Sequence, residues 1–239
     1  MIRLHNKSFV EYLDKCAPFN MAFADPPDAI GMKYNGFKDK FTHEEYLKLL
    51  DRIIMRSMAK ADVLWLSLNA RHTFLAGKVV YDAMYWLPDC EAKACVQTYT
   101  FGQHNHNDLG NNHRLLYRIK KKDAPLFPDA IRVPSWRQLN GDKRADARGR
   151  VPGDVFDFPR VTGNSKQRRS FSPTQLNEGL YERCIRLCCP PGGTVVDLFA
   201  GSGTLGRVAD RCGVNGIMIE LSKPTCEAIA ADQGIGRIY

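Results

Sequence analysis

VVDLFAGSGT, residues 195–204, is the stretch whose reading decides the fold. A short apolar run broken by Asp197 passes into a glycine-rich turn, and the helical pattern GTLGRVADRC follows. A strand that ends in glycines at a helix N-terminus lets a ligand approach the backbone N–H groups directly, because glycine has no Cβ to hold it off. The next strand-like run, VNGIMIEL, carries Glu220 at its end, 23 residues beyond Asp197. An acidic side chain there can accept hydrogen bonds from ribose hydroxyls. No Gly-Lys-Ser/Thr follows, so a P-loop is excluded. The spacing Gly201, Gly203, Gly206 fits G-x-G-x-x-G and leaves dinucleotide binding open at this point.

Far upstream lies FADPPD, residues 23–28, at the end of the strand-like NMAFA. Taken alone, Asp25-Pro26-Pro27-Asp28 reads most simply as a polar turn after a strand. It also puts a carboxylate and a stiff main-chain carbonyl at a strand's carboxyl end. The residue before a proline is restricted to extended conformations, so Pro27 fixes the Pro26 carbonyl.

The pattern between and around these stretches alternates strand and helix. IRLH (2–5), DVLWLSL (62–68), KACVQTYTF (93–101) and HRLLYRI (113–119) read as strands. Apolar residues between Thr42 and Ala59 recur at a helical period, and Thr42 with Glu45 forms a capping-box signature. Residues 72–87, LNEGLYERCIRLCC and SKPTCEAIAADQ also read as helices. This order predicts an α/β fold with a mostly parallel sheet and helices on both faces. The 239 residues fit one domain over 1–239, with a loop-rich insert over 120–172.

Charge is concentrated. Residues 114–169 hold 15 Lys/Arg against 6 Asp, while the rest of the chain is nearly balanced, within a total of +8. A solvated basic face is one reading of such a run. Its interleaving with Phe127, Trp136, Phe156 and Phe158 favours a nucleic-acid surface. No run of 18 apolar residues exists, so no membrane partner is expected. The start MIRLHNKSFVEYLDK lacks a secretory pattern. The eight cysteines lack C-x-x-C or zinc-finger spacing and read as buried free thiols of a reducing cytoplasm, bacterial or phage-infected. His104, His106 and His113 lack a clear fourth ligand, so they read as a polar loop over the cleft and no metal is expected.

Together, FADPPD and FAGSGT resemble the S-adenosylmethionine-dependent DNA amino-methyltransferases, which act on adenine N6 or cytosine N4. The catalytic motif precedes the cofactor motif, as in the permuted β-group. The stretch IRVPSWRQLNGDKRADARGRVPGDVFDFPRVTGNSKQRR also resembles one branch of bacterial and phage site-specific enzymes, so the resemblance spans nearly the whole chain. It implies a Rossmann-like methyltransferase fold and S-adenosylmethionine as cofactor. The implied cofactor residues are Asp197, Phe199, Ala200, Gly201, Ser202, Gly203, Thr204 and Glu220, with Thr174 and Gln175 from RRSFSPTQLNEGLYERCI. It assigns catalysis to Asp25, Pro26, Pro27 and Asp28, and DNA contacts to Lys143, Arg144, Arg148, Arg168 and Arg169.

The implied reaction is methylation of an exocyclic amine on a base flipped out of double-stranded DNA, with adenine favoured because Asp rather than Ser opens the PP motif. The resemblance leaves a homodimer open and names no restriction endonuclease partner. Three departures stand out. Ser8 replaces an acidic residue of the family, and Ser172 a common histidine. Asp28 and Ala29 stand where relatives carry an aromatic residue and Asn. The aromatic residue would stack on the base, and Tyr34, Phe37 or Phe101 could supply that face instead. Two rivals stay open: a DNA-binding relative that has lost base capture at Asp28, and an amino-methyltransferase of RNA or protein.

Overall fold

The structure is a computed structural model that describes residues 1–34, 37–99 and 105–239, with the backbone alone at 37–38. The first half runs β1 (Ile2–Asn6), α1 (Phe9–Lys15), β2 (Phe19–Ala24), β3 (Lys33–Tyr34), β4 (Phe37–Lys38), α2 (His43–Met58), β5 (Ala61–Asn69) and α3 (Thr73–Trp86). The middle holds β6 (Cys90–Thr98), β7 (His113–Lys121), a short α4 (Trp136–Leu139) and β8 (Val155–Asp157). The last part runs α5 (Glu178–Cys188), β9 (Thr194–Asp197), α6 (Thr204–Cys212), β10 (Asn215–Glu220) and α7 (Lys223–Gln233).

Local chemistry sets the helix ends. Thr42 Oγ1 accepts from Glu45 N at 3.2 Å and Glu45 Oε2 accepts from Thr42 N at 2.7 Å, closing the expected capping box of α2. Ser8 and Glu11 close the same box on α1, which explains why a hydroxyl residue stands at position 8. Helix α6 starts after Gly203 (φ 72°) and stops at Gly213 (φ 65°), left-handed positions that favour glycine.

Among the described residues, eight strands form one sheet in the order β1-β10-β9-β2-β5-β7-β6-β8, and only β7 runs against the others. Side chains alternate between its two faces. Met21 and Phe23 of β2, Val63 and Trp65 of β5, and Val195 of β9 pack with α5, α6 and α7. Ala22, Ala24, Leu64, Leu66 and Val196 pack with α1, α2 and α3 on the other face. The fold is the expected α/β sheet with helices on both sides.

One consequence locates the site. The crossover from β2 to β5 runs through α2 on one face, and that from β9 to β10 runs through α6 on the other. Strands β2 and β9 are parallel neighbours, with Phe23 opposite Asp197. The connections therefore diverge at the carboxyl ends of these two strands, leaving a crevice where α/β sheets bind ligands. Both sequence motifs end there.

The segment after β7 is pinned rather than loose. Lys120 is buried and donates to the carbonyls of Lys121, Lys122 and Ala124 at 3.0–3.2 Å. Strand β8 pairs in parallel with β6 at the sheet edge, and buried Phe156 packs edge-on against Trp65. All eight cysteines carry free thiols, five buried and three partly so. No described helix is long and apolar enough to cross a membrane.

Candidate active site

A cavity of about 500 Å³ opens in the crevice. Its walls include Ser8, Phe9, Asp25, Tyr34, Glu220 and the turn residues Phe199, Ala200, Gly201, Ser202 and Thr204. Gly201 adopts φ 50°, and its N–H donates to Glu220 Oε2 at 3.0 Å. Ser222 N donates to Glu220 Oε1 at 2.8 Å, so the carboxylate is fixed between the turn and the start of α7. Burial pushes the Glu220 pKa up, opposed by these N–H groups. Phe9 and Phe199 stack obliquely at 5.3 Å on the apolar side.

Three expected cofactor residues sit differently from the sequence expectation. Asp197 is fully buried beneath the cavity: Oδ1 accepts from Phe199 N at 3.1 Å and Oδ2 from Tyr181 Oη at 3.0 Å. It shapes the turn from below, and burial raises its pKa to about 7. Gly203 faces α7, where a Cβ would lie 2.4 Å from Gln233 Nε2. Its small size serves helix packing. Thr174 and Gln175 do line the cavity. The Gln175 amide, however, accepts from Arg169 N at 3.1 Å and donates to Gln167 O at 2.7 Å, bracing the loop. Ser172, the expected histidine position, donates to Thr174 O at 2.7 Å and does the same.

The DPPD turn lies across the crevice from Glu220. Its Asp25, Pro26, Pro27 and Asp28 all line the cavity. Sequence reasoning missed the residue that organises them. Arg114, at the start of β7, donates from Nη2 to Asp25 Oδ1 at 2.7 Å and from Nη1 to Asp28 Oδ2 at 2.9 Å. Its Nε donates to Ser67 Oγ at 3.2 Å. Burial raises the Asp25 pKa, the Arg114 cation pulls it down and Asp28 pushes it up. The two carboxylates in turn raise the pKa of Arg114. The sequence signal was slight: one arginine at the polar end of a buried strand, opposite Asn69 in a register the sequence does not reveal.

Asp28 is nearly buried and faces inward, which differs from a position that presents a stacking surface to a base. It also accepts from Asn69 N at 3.2 Å, and its carbonyl meets His72 Nε2 at 2.6 Å. The chain beyond it folds around a second missed residue, buried Asp39. That carboxylate accepts from the N–H groups of Ala29, Ile30 and Met32 at 2.8–3.1 Å. Ala29 takes a left-handed φ of 54°, a conformation that asparagine tolerates better than alanine. The loop brings Tyr34 to the cavity wall, where its hydroxyl is hydrogen-bonded with Thr174 and its pKa is pushed up to about 12 by burial. Of the other aromatic residues expected to face the base, the Phe37 side chain and Phe101 lie outside the described residues, as does His104.

The basic segment divides into two groups. Lys143, Arg144 and Arg148 are exposed, with Arg144 paired to Asp142 at 2.9 Å and Arg148 to Asp146 at 3.1 Å. Exposed pairs of this kind are weak and exchange readily for phosphate. Arg168 and Arg169, also expected to contact DNA, are engaged within the chain. Arg168 donates to Ser172 O, and Arg169 pairs with Asp232 at 2.8 Å, so both hold the loop over the cofactor side. Arg114 and Lys120 are likewise internal, so part of the sequence's local charge excess is structural.

The family model for DNA methylases matches residues 19–231. This chain belongs to the DNA methylase family. The DNA adenine methyltransferase YhdJ of Escherichia coli is 44% identical to this methylase over 230 residues, covering 85% of this chain and 72% of YhdJ. The type II methyltransferase M.ScaI of Streptomyces caespitosus is 26% identical over 218 residues, covering 85% and 71%. In fold, the methylase is similar to the cytosine-N4-specific PvuII DNA methyltransferase, with TM-score 0.72 and 14% identity over 96% of this chain and 86% of that one. It is also similar to M1.HpyAVI solved as its SAM complex, with TM-score 0.66 and 16% identity over 97% and 98%. The methylase is thus a DNA amino-methyltransferase of the N6-adenine/N4-cytosine family. That membership resolves the dinucleotide reading left open by G-x-G-x-x-G.

Proposed function

We propose that this protein methylates the N6 amino group of adenine at a specific site in double-stranded DNA, with S-adenosylmethionine as donor. The observation that carries the reading is that Asp25 and Glu220, 195 positions apart in sequence, face one cavity from opposite motifs. The residues present suit the cofactor. Glu220 offers a fixed carboxylate for ribose hydroxyls, Phe9 and Phe199 an apolar side for adenine, and Gly201 a turn without a Cβ. Bound there, S-adenosylmethionine supplies an electrophilic methyl on a positively charged sulfur.

The chain's own task is to aim and polarise an amine whose lone pair is delocalised into the base. Asp25 accepts one amino hydrogen, and the Pro26 carbonyl accepts the other. A carboxylate has about four acceptor positions, so Asp25 serves the amine while keeping its bond to Arg114. With both hydrogens held, the nitrogen lone pair turns toward the methyl, and both acceptors stabilise the positive charge that develops on nitrogen. Arg114 opposes the burial that raises the Asp25 pKa and fixes the carboxyl before substrate arrives, so little reorganisation is left for the reaction step. Tyr34 provides the ring that stacks on the extruded base, the role a residue after the DPP turn would otherwise fill. Lys143, Arg144 and Arg148 contact phosphates and position the duplex.

The adenine assignment rests on Asp at the head of the PP motif and on the named activity of the Escherichia coli relative. The test is transfer of labelled methyl from S-adenosylmethionine to duplex DNA, followed by nucleoside analysis. N6-methyladenine at one recurring sequence is expected. N4-methylcytosine would overturn the base assignment, and labelled RNA or protein with unlabelled DNA would overturn the substrate.

A further inference from the structure

Arg207 stands in the first turn of α6, behind the glycine turn, and its side chain is only 11% exposed. Nη1 donates to Ser202 O at 2.7 Å and lies 3.3 Å from Asp232 Oδ2 of α7. Nε donates to Glu178 Oε1 at the start of α5 at 3.1 Å, and Nη2 donates to Thr204 Oγ1 at 3.4 Å. Thr204 Oγ1 in turn lies 2.9 Å from Ser202 Oγ. Ser202 and Thr204 belong to the cavity wall, whereas Arg207 grips them from outside it. None of these partners belongs to the DPPD turn.

The two carboxylates extend this grip to a second wall. Asp232 also accepts from Arg169 at 2.8 Å, and Glu178 N donates to Gln167 Oε1 at 2.9 Å. Gln175 ties Arg169 and Gln167 together within their loop, and that loop carries Ser172 and Thr174 along the cavity. One guanidinium thus joins the glycine turn to the loop that walls the same cavity. Its donors lie in one rigid plane, so the fork fixes several directions at once. Against apolar side chains of similar volume, a buried ion pair typically adds little stability. What this one adds is a fixed spacing between two walls. A ligand held by preformed walls binds more tightly, because less order has to be imposed when it arrives. We infer that Arg207 is a positioning residue for S-adenosylmethionine, setting the gap in which the cofactor is held. The inference rests on the cofactor placement proposed above.

Calorimetry on the full chain with S-adenosylmethionine and with S-adenosylhomocysteine reads this spacing. Arg207→Met keeps an apolar stem and removes every donor, and should raise both dissociation constants about tenfold or more. KM for S-adenosylmethionine should rise with them, while kcat at saturating cofactor and KM for duplex DNA stay within about twofold. Arg207→Lys keeps a cation for Ser202 O and Asp232 and should recover most of the affinity. It also carries the test if the methionine variant does not fold. Arg207 and Arg169 act through the same Asp232, so Arg169→Met should cost far less affinity when added to Arg207→Met than it costs alone. Arg211→Met is the control. Arg211 shares Glu178 at 2.9 Å but is 48% exposed and makes no bond to the turn, so both dissociation constants should stay unchanged. Unchanged cofactor affinity in Arg207→Met would overturn the inference, as would an equal loss in Arg211→Met. So would a fall in kcat with KM for the cofactor unchanged, the mark of a purely structural role. A natural protein that binds neither S-adenosylmethionine nor S-adenosylhomocysteine would overturn the cofactor placement itself, and this inference with it.

Discussion

Arg114 Nη2 lies 2.7 Å from Asp25 Oδ1, and the same guanidinium reaches Asp28 Oδ2 from Nη1 at 2.9 Å. The cation comes from an antiparallel strand nearly 90 residues downstream of the turn it organises. It sets a buried positive charge between two aspartates of one largely enclosed turn. Removing one member of a buried ion pair leaves an uncompensated charge, which typically costs about 3–5 kcal/mol.

Arg114→Gln should therefore lower stability by about 3 kcal/mol and methyl transfer by roughly 10²-fold, the scale of a lost preorganised electrostatic contact. In the proposed reaction Asp25 accepts one amine hydrogen, and the carboxylate is a far stronger acceptor than the neutral acid. Without the cation its pKa rises further, so the acidic limb of the rate profile should move to higher pH. Arg114→Lys keeps the charge without the fork and should restore most of the limb's position but less of the rate. An unmoved limb in Arg114→Gln would remove Arg114 from the mechanism.

Asp28→Tyr should reduce both thermal stability and activity. The side chain at 28 is buried and bonded to Arg114 and Asn69 N, contacts that a phenol ring would break. The stacking role belongs in this account to Tyr34, so Tyr34→Ala should lower turnover by the equivalent of about 1–3 kcal/mol, while Tyr34→Phe keeps most of it. A gain of activity in Asp28→Tyr would mean that the natural pocket lacks a stacking face.

Asp197 gives a stability signature. Its folded pKa is about 7 against an ordinary 3.8, so between those values the native state binds the proton and the unfolded chain does not. Stability from this group is present at low pH and is lost as pH rises through about 4 to 7, on the order of a few kcal/mol. Asp197→Asn cannot ionise and should flatten that slope in urea unfolding measured across the window. A slope that survives the substitution would assign it to another group.

For the basic segment, the Lys143, Arg144 and Arg148 triple alanine variant should bind duplex DNA more weakly. Its log K against log salt slope should be shallower by about 2–3, since each neutralised phosphate contributes roughly 0.9. Replacing Arg169 instead should loosen the loop that Asp232 anchors and affect cofactor affinity more than the salt slope. An unchanged slope in the triple variant would move the DNA surface elsewhere.

The helices and strands of this fold were largely legible. Thr42 and Glu45 announced α2, the glycine-rich turn led into α6, and the apolar runs within 20–24 and 194–197 became the neighbouring strands β2 and β9. The motifs also fell on the right elements, because a strand end and a helix start are properties of a few adjacent residues. Contacts set by sheet order were not legible. Arg114 meets Asp25 only because β7 inserts antiparallel between β5 and β6, and no local pattern encodes that choice. The same holds for Asp39, which gathers three backbone N–H groups from a loop seven to ten residues earlier. Nor could the sequence show that the guanidiniums of Arg168 and Arg169 brace a loop.

In the proposed reaction Asp25 orients the amine and leaves cofactor binding to the opposite wall of the cavity. The direct measurement is a paired one on Asp25→Ala: calorimetric affinity for S-adenosylmethionine, and labelled methyl transferred to duplex DNA. Cofactor affinity within a few-fold of the natural protein and a methylation rate lower by about 10²–10³ are expected. Methylation at the full rate in Asp25→Ala would contradict the account.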